Sequence, residues 1–486
     1  MIFTRHIFTN KRTALPFIFL SFFTTISSAQ EKITLKQAVE ITLKNNLQIK
    51  QAQLTEALAD ETLNQSKLAL YPNLNSNNSV GSSYGRSIDP TTNQFVNTQL
   101  SSGNIGLLSE ATLFQGFQKL HQISQNKYLL EADKSNTKKI KNDLTLNVIN
   151  TYLQVLTNKD ILLAAKQQLE VSHQKMDREQ QLFDAGSKTL ADLSQAKAQL
   201  AAAELNVTNA QNQLDLSFLN LAQLLERDPA ISFNVEKPII EEIKTDSSNY
   251  SALDVYRIAL IHFPEIKSTE YRRIASGKGV EVARGNLYPR IVLQGQLTSR
   301  FSNNDQRLVG QVFDGTSSII GYDGSTNQPV YTPNVRPVYE KTPFFSQMKD
   351  NFGQSIAIGV TIPIFNGLSA RSSISRAKVN YEHAKVAEQL AKNNLNKVIN
   401  QAVLDVRAAE KKHISTQAAY IASKDAFDAI EKRYHVGLVN SIDYNKAQTD
   451  MNNAQFELIK AEYDLLFRRK TIDFYLGKCL ASNDCN

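Results

Sequence analysis

Along this chain of 486 residues the spacing of apolar positions changes period several times. From 34 to 70 and from 251 to 287 apolar residues recur every three or four positions, which predicts helix. Each stretch ends in Leu-Tyr-Pro, at 70–72 and 287–289, and the pattern then switches to strict alternation. In RIVLQGQLTSRF, Ile291, Leu293, Leu297 and Phe301 share one side, while Gln294, Gln296, Thr298 and Arg300 share the other. In NFGQSIAIGVTIPIF, Phe352, Ile356, Ile358, Val360, Ile362 and Ile364 oppose Gly353, Ser355, Ala357, Gly359 and Thr361. Period two with one apolar side and one small or polar side predicts strands that face two different media. The corresponding earlier segments, NLNSNNSVGSSYG and QLSSGNIGLLSEATLF, are strand-like but richer in Ser, Asn and Gly. Loops are expected between the strands, at 86–98 and 302–350.

Beyond each second strand lies a long helical run, 117–184 and 368–435. At 1.5 Å per residue each spans roughly 100 Å. Both end at a glycine and return as a second helix with a heptad seam. The first seam is Leu193, Ala196, Leu200, Ala203, Val207, Ala210, Leu214, Ser217, Leu221, Leu224. The second is Tyr444, Ala447, Met451, Ala454, Leu458, Ala461, Leu465, Arg468, Ile472, Tyr475. Alternating steps of three and four keep one face against a partner helix, and Ala at alternate positions allows close approach.

The chain is internally duplicated. TLKQAVEITLKNNLQIK and SALDVYRIALIHFPEIK align at an offset of 217, as do LYPN and LYPR. LFQGF and IFNGL, and the turns around Gly186 and Gly437, align at 251, so the second copy holds 34 extra residues within 302–350. Two units follow, 30–245 and 246–486, each ordered helix, strand, strand and long helical hairpin. Gly186 and Gly437 stand where a helix end calls for a left-handed residue. Thr189, and Asn440 or Ser441, are expected to cap the returning helices.

The N-terminus runs basic (MIFTRHIFTNKR), apolar (TALPFIFLSFFTTI) and small (Ser27-Ser28-Ala29), the order of a secretory signal peptide over 1–29. No cysteine follows it to take a lipid anchor. Without that segment the net charge of +7 falls to 51 basic against 47 acidic residues, which gives no case for nucleic-acid binding. The two cysteines, Cys479 and Cys485, either pair in an oxidising compartment or stay free. Hydrophobic residues make up 42%, yet no later segment has 18 continuous apolar residues, so any further membrane crossing must be made by strands. The scattered histidines, and the lack of HExxH, GxSxG or paired Cys/His spacing, argue against an enzyme, a metal site or a cofactor.

Four strands cannot close a barrel, since membrane barrels begin at eight, and open edges are not tolerated in lipid. Three chains would supply twelve. The fold class expected is therefore mainly α with a shared β-barrel, continued by a long α-helical barrel. A secreted coiled-coil adaptor or scaffold without a pore is the alternative, and it predicts no membrane strands.

The signal peptide, the duplicated helix–strand–loop–strand–FxG–helix–turn–helix order, Leu-Tyr-Pro before the first strand of each copy and the Val-Gly-Leu tip together resemble the outer membrane efflux protein family, the TolC-like outer membrane factors. The resemblance implies a homotrimer in the outer membrane with a twelve-strand barrel and a periplasmic helical barrel. It implies a passive exit duct for a tripartite efflux or type I secretion system. The partners implied are a periplasmic adaptor and an inner-membrane pump of the RND or ABC type. Gly186, Ser187, Gly437 and Leu438 would then be the adaptor-docking tips. Asp192 and Asp443, six residues past the tip glycines, would ring the periplasmic entrance, and Tyr434 would hold it closed. The chain departs from the family pattern at two places. A locking arginine is replaced by Val439, with Lys188 as the equivalent in the first copy, and a second ring acid is Lys446.

Overall fold

The computed structural model of the protein describes residues 31–230, 233–237 and 250–478. The expected signal peptide, Cys479 and Cys485 lie outside the described residues. The first copy consists of β1 (Glu31–Ile33), α1 (Leu35–Asn45), α2 (Leu47–Leu68), β2 (Asn73–Ser83), β3 (Arg86–Ile88), β4 (Phe95–Asn97), β5 (Leu100–Gln115), α3 (Gln118–Asp184), α4 (Leu190–Leu224) and β6 (Phe233–Val235). The second consists of α5 (Ala252–His262), α6 (Pro264–Arg284), β7 (Arg290–Ser302), β8 (Gln306–Tyr322), β9 (Pro329–Lys341), α7 (Phe344–Asp350), β10 (Gly353–Thr361), α8 (Ser369–His435) and α9 (Ser441–Tyr475).

The helices form two tiers. In one, α2 lies on α3, α3 on α6 and α6 on α8; in the other, α4 lies on α3, α3 on α9 and α9 on α8. Only α3 and α8, 67 residues each, run through both tiers, so each is a continuous rod of roughly 100 Å. The heptad seam of α4 is buried as its spacing requires, at Leu193, Ala196, Ala203, Ala210, Leu214, Ser217 and Leu221. The tiers meet at the widest cores. Val148, Ile149, Tyr152, Leu156, Leu221 and Leu225 pack with Ile33 and Val235 of the small parallel β1–β6 sheet. The Tyr152 hydroxyl sits 2.8 Å from the Ile33 carbonyl and 2.6 Å from that of Glu236, which fixes this sheet to α3. A second cluster joins Val255 and Ile266 to Leu395, Ile399, Val406, Ile472 and Tyr475.

Several expectations are corrected. Neither opening helix is continuous. Asn46 ends α1 and starts α2, its side chain accepting the Gln48 N–H at 2.9 Å, and Pro264 opens α6 after Phe263. The alternation at Ile362 and Ile364 lies past the end of β10. The segment 86–98 is a short hairpin, β3–β4. The segment 302–350 is no loop: β8 and β9 pair along their length as an antiparallel ribbon, and α7 follows. The two hairpins close on one turn, DPTTNQ at 89–94 and DGSTNQ at 323–328. In both, the Asp N–H bonds the Gln carbonyl, the Asn N–H bonds the Asp carbonyl, and Asn93 and Asn327 are left-handed. This turn sits at an offset of 234, midway between 217 and 251, so the second copy has gained 17 residues on each side of it.

Candidate functional site

At one end of the rods, β10, β7, β5 and β2 form an antiparallel sheet in that order. Pro72 and Pro289 stop the preceding helices, because proline cannot donate to the helical ladder. The exits are duplicated too. Gly116-Phe117 and Gly367-Leu368 each place two successive residues in the left-handed region, turning strand into rod. A Cβ on Gly116 would lie 2.7 Å from the Gly285 carbonyl oxygen, so only glycine fits there.

The register sorts the side chains of this sheet onto two faces. Ile356, Ile358 and Val360 lie beside Gly295, Leu293 and Ile291, which lie beside Ser109, Ala111 and Phe114. Leu297 adjoins Leu107, and Phe301 adjoins Gly103. All stand on one face, and Ile356 is 84% exposed. The opposite face carries Arg290, Gln294, Gln296, Thr298 and Arg300 beside Glu110, Leu108, Gly106 and Asn104. There Arg290 donates to Glu110 at 2.9 Å and Gln294 at 3.2 Å. Aromatic rings mark both margins. Phe301, Phe344 and Phe345 stack edge to face at 5.0 and 5.4 Å at the outer rim, and Phe114 and Phe117 meet at 5.4 Å at the inner. An apolar band between aromatic girdles, with a polar reverse face, is the surface of a strand array between lipid and water. The outer strands β2 and β10 each leave one edge unpaired.

At the far end of the rods are the two helical turns. The Gly186 N–H bonds the Phe183 carbonyl and the Ser187 N–H that of Leu182; Gly437 bonds Tyr434, and Leu438 bonds Arg433. Both glycines are left-handed, at φ +74° and +77°, so each rod ends in the same Schellman closure. Thr189 and Asn440 cap the returning helices, and Ser441 is the first residue of α9.

Asp192 completes a capping box. Its Oδ2 accepts from the Thr189 hydroxyl at 2.8 Å, and its Oδ1 accepts from Ser441 at 3.0 Å, which links the two turns. The Thr189 hydrogen bonds hold its carboxyl below the usual range. Asp443 and Lys446 are exposed and border a groove between α8 and α9, together with Ile430, Leu438, Val439 and Asp450. The structure thus brings Asp192 to the other turn but keeps Asp443 on the surface of its own hairpin.

Tyr434 is drawn inward. Its hydroxyl donates to Glu179 Oε1 at 2.5 Å. Burial, followed by this bond to a carboxylate, pushes the phenol well above its ordinary range. Glu179 is only 2% exposed, and Lys188 Nζ stands 4.0 Å from its Oε2. The same ammonium lies 5.1 Å from the Tyr434 ring centre. Lys175 packs over the ring of Tyr444 at 4.1 Å, bonds Asn445, and is pushed down to about 8 by burial. Arg178 contacts His435 across the same seam. Thus Lys188, the first-copy equivalent of Val439, stands beside the Tyr434 ring. Glu179 and Lys175 escaped the sequence reading, because each lies more than 250 positions from its partner. The one available signal was a charged pair, four residues apart, with Glu179 at a buried position of α3.

Comparison with known proteins agrees with these geometries. The family model described as "Outer membrane efflux protein" matches residues 38–227 and 255–478. The chain is 22% identical to the outer membrane protein TolC of Escherichia coli K12 over 466 residues, 94% of this chain and 84% of that one. It is 22% identical to the outer membrane efflux protein BepC of Brucella suis biovar 1, covering 89% and 83%. Its fold is similar to the Campylobacter jejuni CmeC outer membrane channel, with a TM-score of 0.73 at 18% identity over 91% of this chain and 85% of that one.

Proposed function

We propose, from the premise that this chain belongs to the outer membrane efflux protein family, that three copies assemble into the outer membrane duct of a tripartite efflux or type I secretion system. The observation that carries the reading is the four-stranded sheet with one apolar face, one polar face and two open edges, joined without a break to two 67-residue rods. Each unpaired backbone group in lipid costs several kcal/mol, so β2 of one copy must pair with β10 of the next. Three copies give twelve strands. The polar face with Arg290, Glu110 and Gln294 then lines the lumen, and the rods prolong it through the periplasm. A coiled-coil scaffold has no use for an apolar sheet face.

In this reading the turns at Gly186, Ser187, Gly437 and Leu438 form the periplasmic mouth and receive an adaptor protein. The groove between α8 and α9, with Ile430, Leu438, Asp443 and Lys446, offers apolar contact flanked by both charge signs. Tyr434, Glu179 and Lys188 tie the two hairpins of one copy together and hold the mouth closed. An inner-membrane pump of the RND or ABC type supplies the energy. Reconstitution in planar bilayers, with outer-membrane fractionation and a heat-modifiable trimer band, is the test. Discrete conductance from trimers is expected. Solitary chains that never conduct would overturn the reading.

A further inference from the structure

The ribbon β8–β9 projects from the outer rim and, among the described residues, packs substantially on no other element. Isolated two-stranded ribbons are marginal in water, so this one needs support from elsewhere. Its register supplies a reason to expect that support. In β9, alternate residues fall on opposite faces, and the bulges in β8 at Val309, at 314–316 and at Ile320 keep β8 in step. One face collects Leu308 and Tyr339, Phe313 and Val335, Ile319 and Tyr331, all paired across the strands. The other is mixed: it collects the charged and hydroxyl pairs Arg307 with Glu340 and Ser318 with Thr332, Val312 beside Arg336, and Val338 and Val330 beside Gly310 and Gly321, and it carries no aromatic ring. Asn334 locks the bulge on that mixed face, bonding Thr316 at 2.9 Å and Ser318 at 2.7 Å. The apolar face is bare: Phe313 is 53% exposed, Ile319 49% and Tyr331 59%.

The root of the ribbon is clamped. The Gln347 side chain bonds both backbone groups of Ser302, at 2.8 and 3.0 Å, and the Thr342 carbonyl at 2.8 Å. Ser302 in turn donates to buried Asp89 of the neighbouring hairpin at 2.7 Å. A ribbon held this firmly at its base is aimed rather than loosely tethered.

Lipid does not suit the bare face. The ribbon begins beyond the Phe301–Phe344–Phe345 girdle, and its two open edges would be unsatisfied in hydrocarbon. Strand addition does not suit the β9 edge either, since Pro329, Pro333 and Pro337 withhold N–H groups there. Resting on the trimeric reading above, three identical apolar faces rise from one rim. Twelve strands spaced at about 4.8 Å and tilted by about 40° give a barrel radius of roughly 12 Å. A 13-residue strand reaches roughly 43 Å, more than enough to meet its copies on the axis. Tethering sets their effective concentration in the millimolar range, ahead of any free partner.

We propose that the three ribbons pack their apolar faces against one another over the outer mouth, forming a hydrophobic constriction that outgoing cargo must part. The test is site-directed cross-linking in the full-length protein, with Cys479 and Cys485 replaced by serine. Phe313→Cys, and separately Val335→Cys, should join subunits with a short bis-maleimide in a trimer verified by its heat-modifiable band. Arg336→Cys, on the mixed face, should not. Equal linkage from both faces, no linkage from either in an intact trimer, or linkage in whole cells to a different protein would overturn the proposal. Absence of the trimer band would instead condemn the channel reading itself.

Discussion

The hairpins at 89–94 and 323–328 carry the same turn on strands of different length. In the first copy the turn is pressed onto the rim, with Asp89 wholly buried and bonded to Ser302. In the second, 17 residues added on each side lift the identical turn far above it. The far end of the molecule teaches the complementary lesson. There the two Schellman turns have the same backbone, but their side chains have diverged into opposite halves of one contact, the lock proposed above. The first copy supplies Glu179, Lys175 and Lys188. At the positions 251 further on, the second copy has Ile430, Ala426 and Val439, and it supplies Tyr434, Tyr444 and Asn445 instead. Duplication provided matching frames; function requires the copies to differ where they touch.

The largest effect should come from breaking that lock. Tyr434→Phe keeps the ring but removes the donor to a carboxylate that is 2% exposed. A buried charged group left without its hydrogen bond costs about 1.5–3 kcal/mol, so the open-to-closed ratio should rise by about tenfold to a hundredfold. Bilayer open probability reads this directly. A control, Phe183→Tyr, puts a hydroxyl at the matching position of the first copy, where the residue equivalent to Glu179 is the apolar Ile430, and should leave gating unchanged. If Tyr434→Phe opens no more often than the parent, the lock has been misassigned.

Next comes the rim. Deleting 306–320 and 331–341 removes 15 and 11 residues, most of both ribbon strands, and brings the second turn down towards the rim. Because the ribbon packs substantially on no other described element of its own chain, the trimer band should persist. In the Tyr434→Phe background, where the inner mouth is open, conductance should rise severalfold as the outer constriction disappears. An unchanged conductance would leave the ribbons without a role in the pore.

Much of this architecture is legible in the sequence, because long regular elements repeat their period many times. The rods, the α4 seam and the two turns follow from spacing alone, as Leu193 through Leu221 illustrate. The sheet faces at 291–301 are legible for the same reason. The ribbon is harder to read, since three bulges in β8 interrupt period two and its bare apolar face mimics a polar loop sprinkled with Gly and Ser. One signal was present: the repeated Asp-x-Ser/Thr-Thr-Asn-Gln turn, whose offset of 234 splits the insertion evenly. The lock is hidden for a topological reason. Glu179 and Tyr434 become neighbours only when α3 meets the second hairpin, and a local pattern carries no information about a contact 255 residues away. The β1–β6 strands, three residues each, are too short to show a period.

A smaller effect concerns pH. In the closed tip burial holds Lys175 at about 8, against 10.5 in water. The open or unfolded tip therefore keeps this proton to higher pH than the closed tip does. Stability of the closed tip rises with pH wherever the other state binds more protons, here from about pH 8 towards 10.5. Tyr434, whose phenol is pushed up, acts with the opposite sign only above its ordinary value near 10. Open probability should thus fall as the periplasmic side is taken from pH 7.5 to 9.5. In Lys175→Met that slope should flatten, because the buried ammonium over the Tyr444 ring is gone. A rise in opening across this window would reverse the sign and refute the assignment.

The finest contrast lies at the ends of the returning helices, again 251 residues apart. Gly477 closes α9 in the left-handed region at φ +73°, and Glu226 closes α4 there at φ +52°. The hydrogen bonds match: Arg227 to Ala222 at 3.0 Å, Lys478 to Asp473 at 2.9 Å. A non-glycine residue in this region costs about 1–2 kcal/mol. Glu226 recovers part of that, because its carboxylate accepts the Leu47 N–H at 3.3 Å, next to the Asn46 cap at the start of α2. Replacing it with glycine exchanges strain for a lost bond and a more flexible unfolded chain. Glu226→Gly should therefore change stability by less than about 1 kcal/mol. Gly477→Glu imports the strain without the acceptor's partner and should cost about 1–2 kcal/mol. Thermal unfolding of the two single variants decides the matter. If both behave alike, the carboxylate at Glu226 gives no compensation, and the two helix ends are equivalent in energy as well as in backbone.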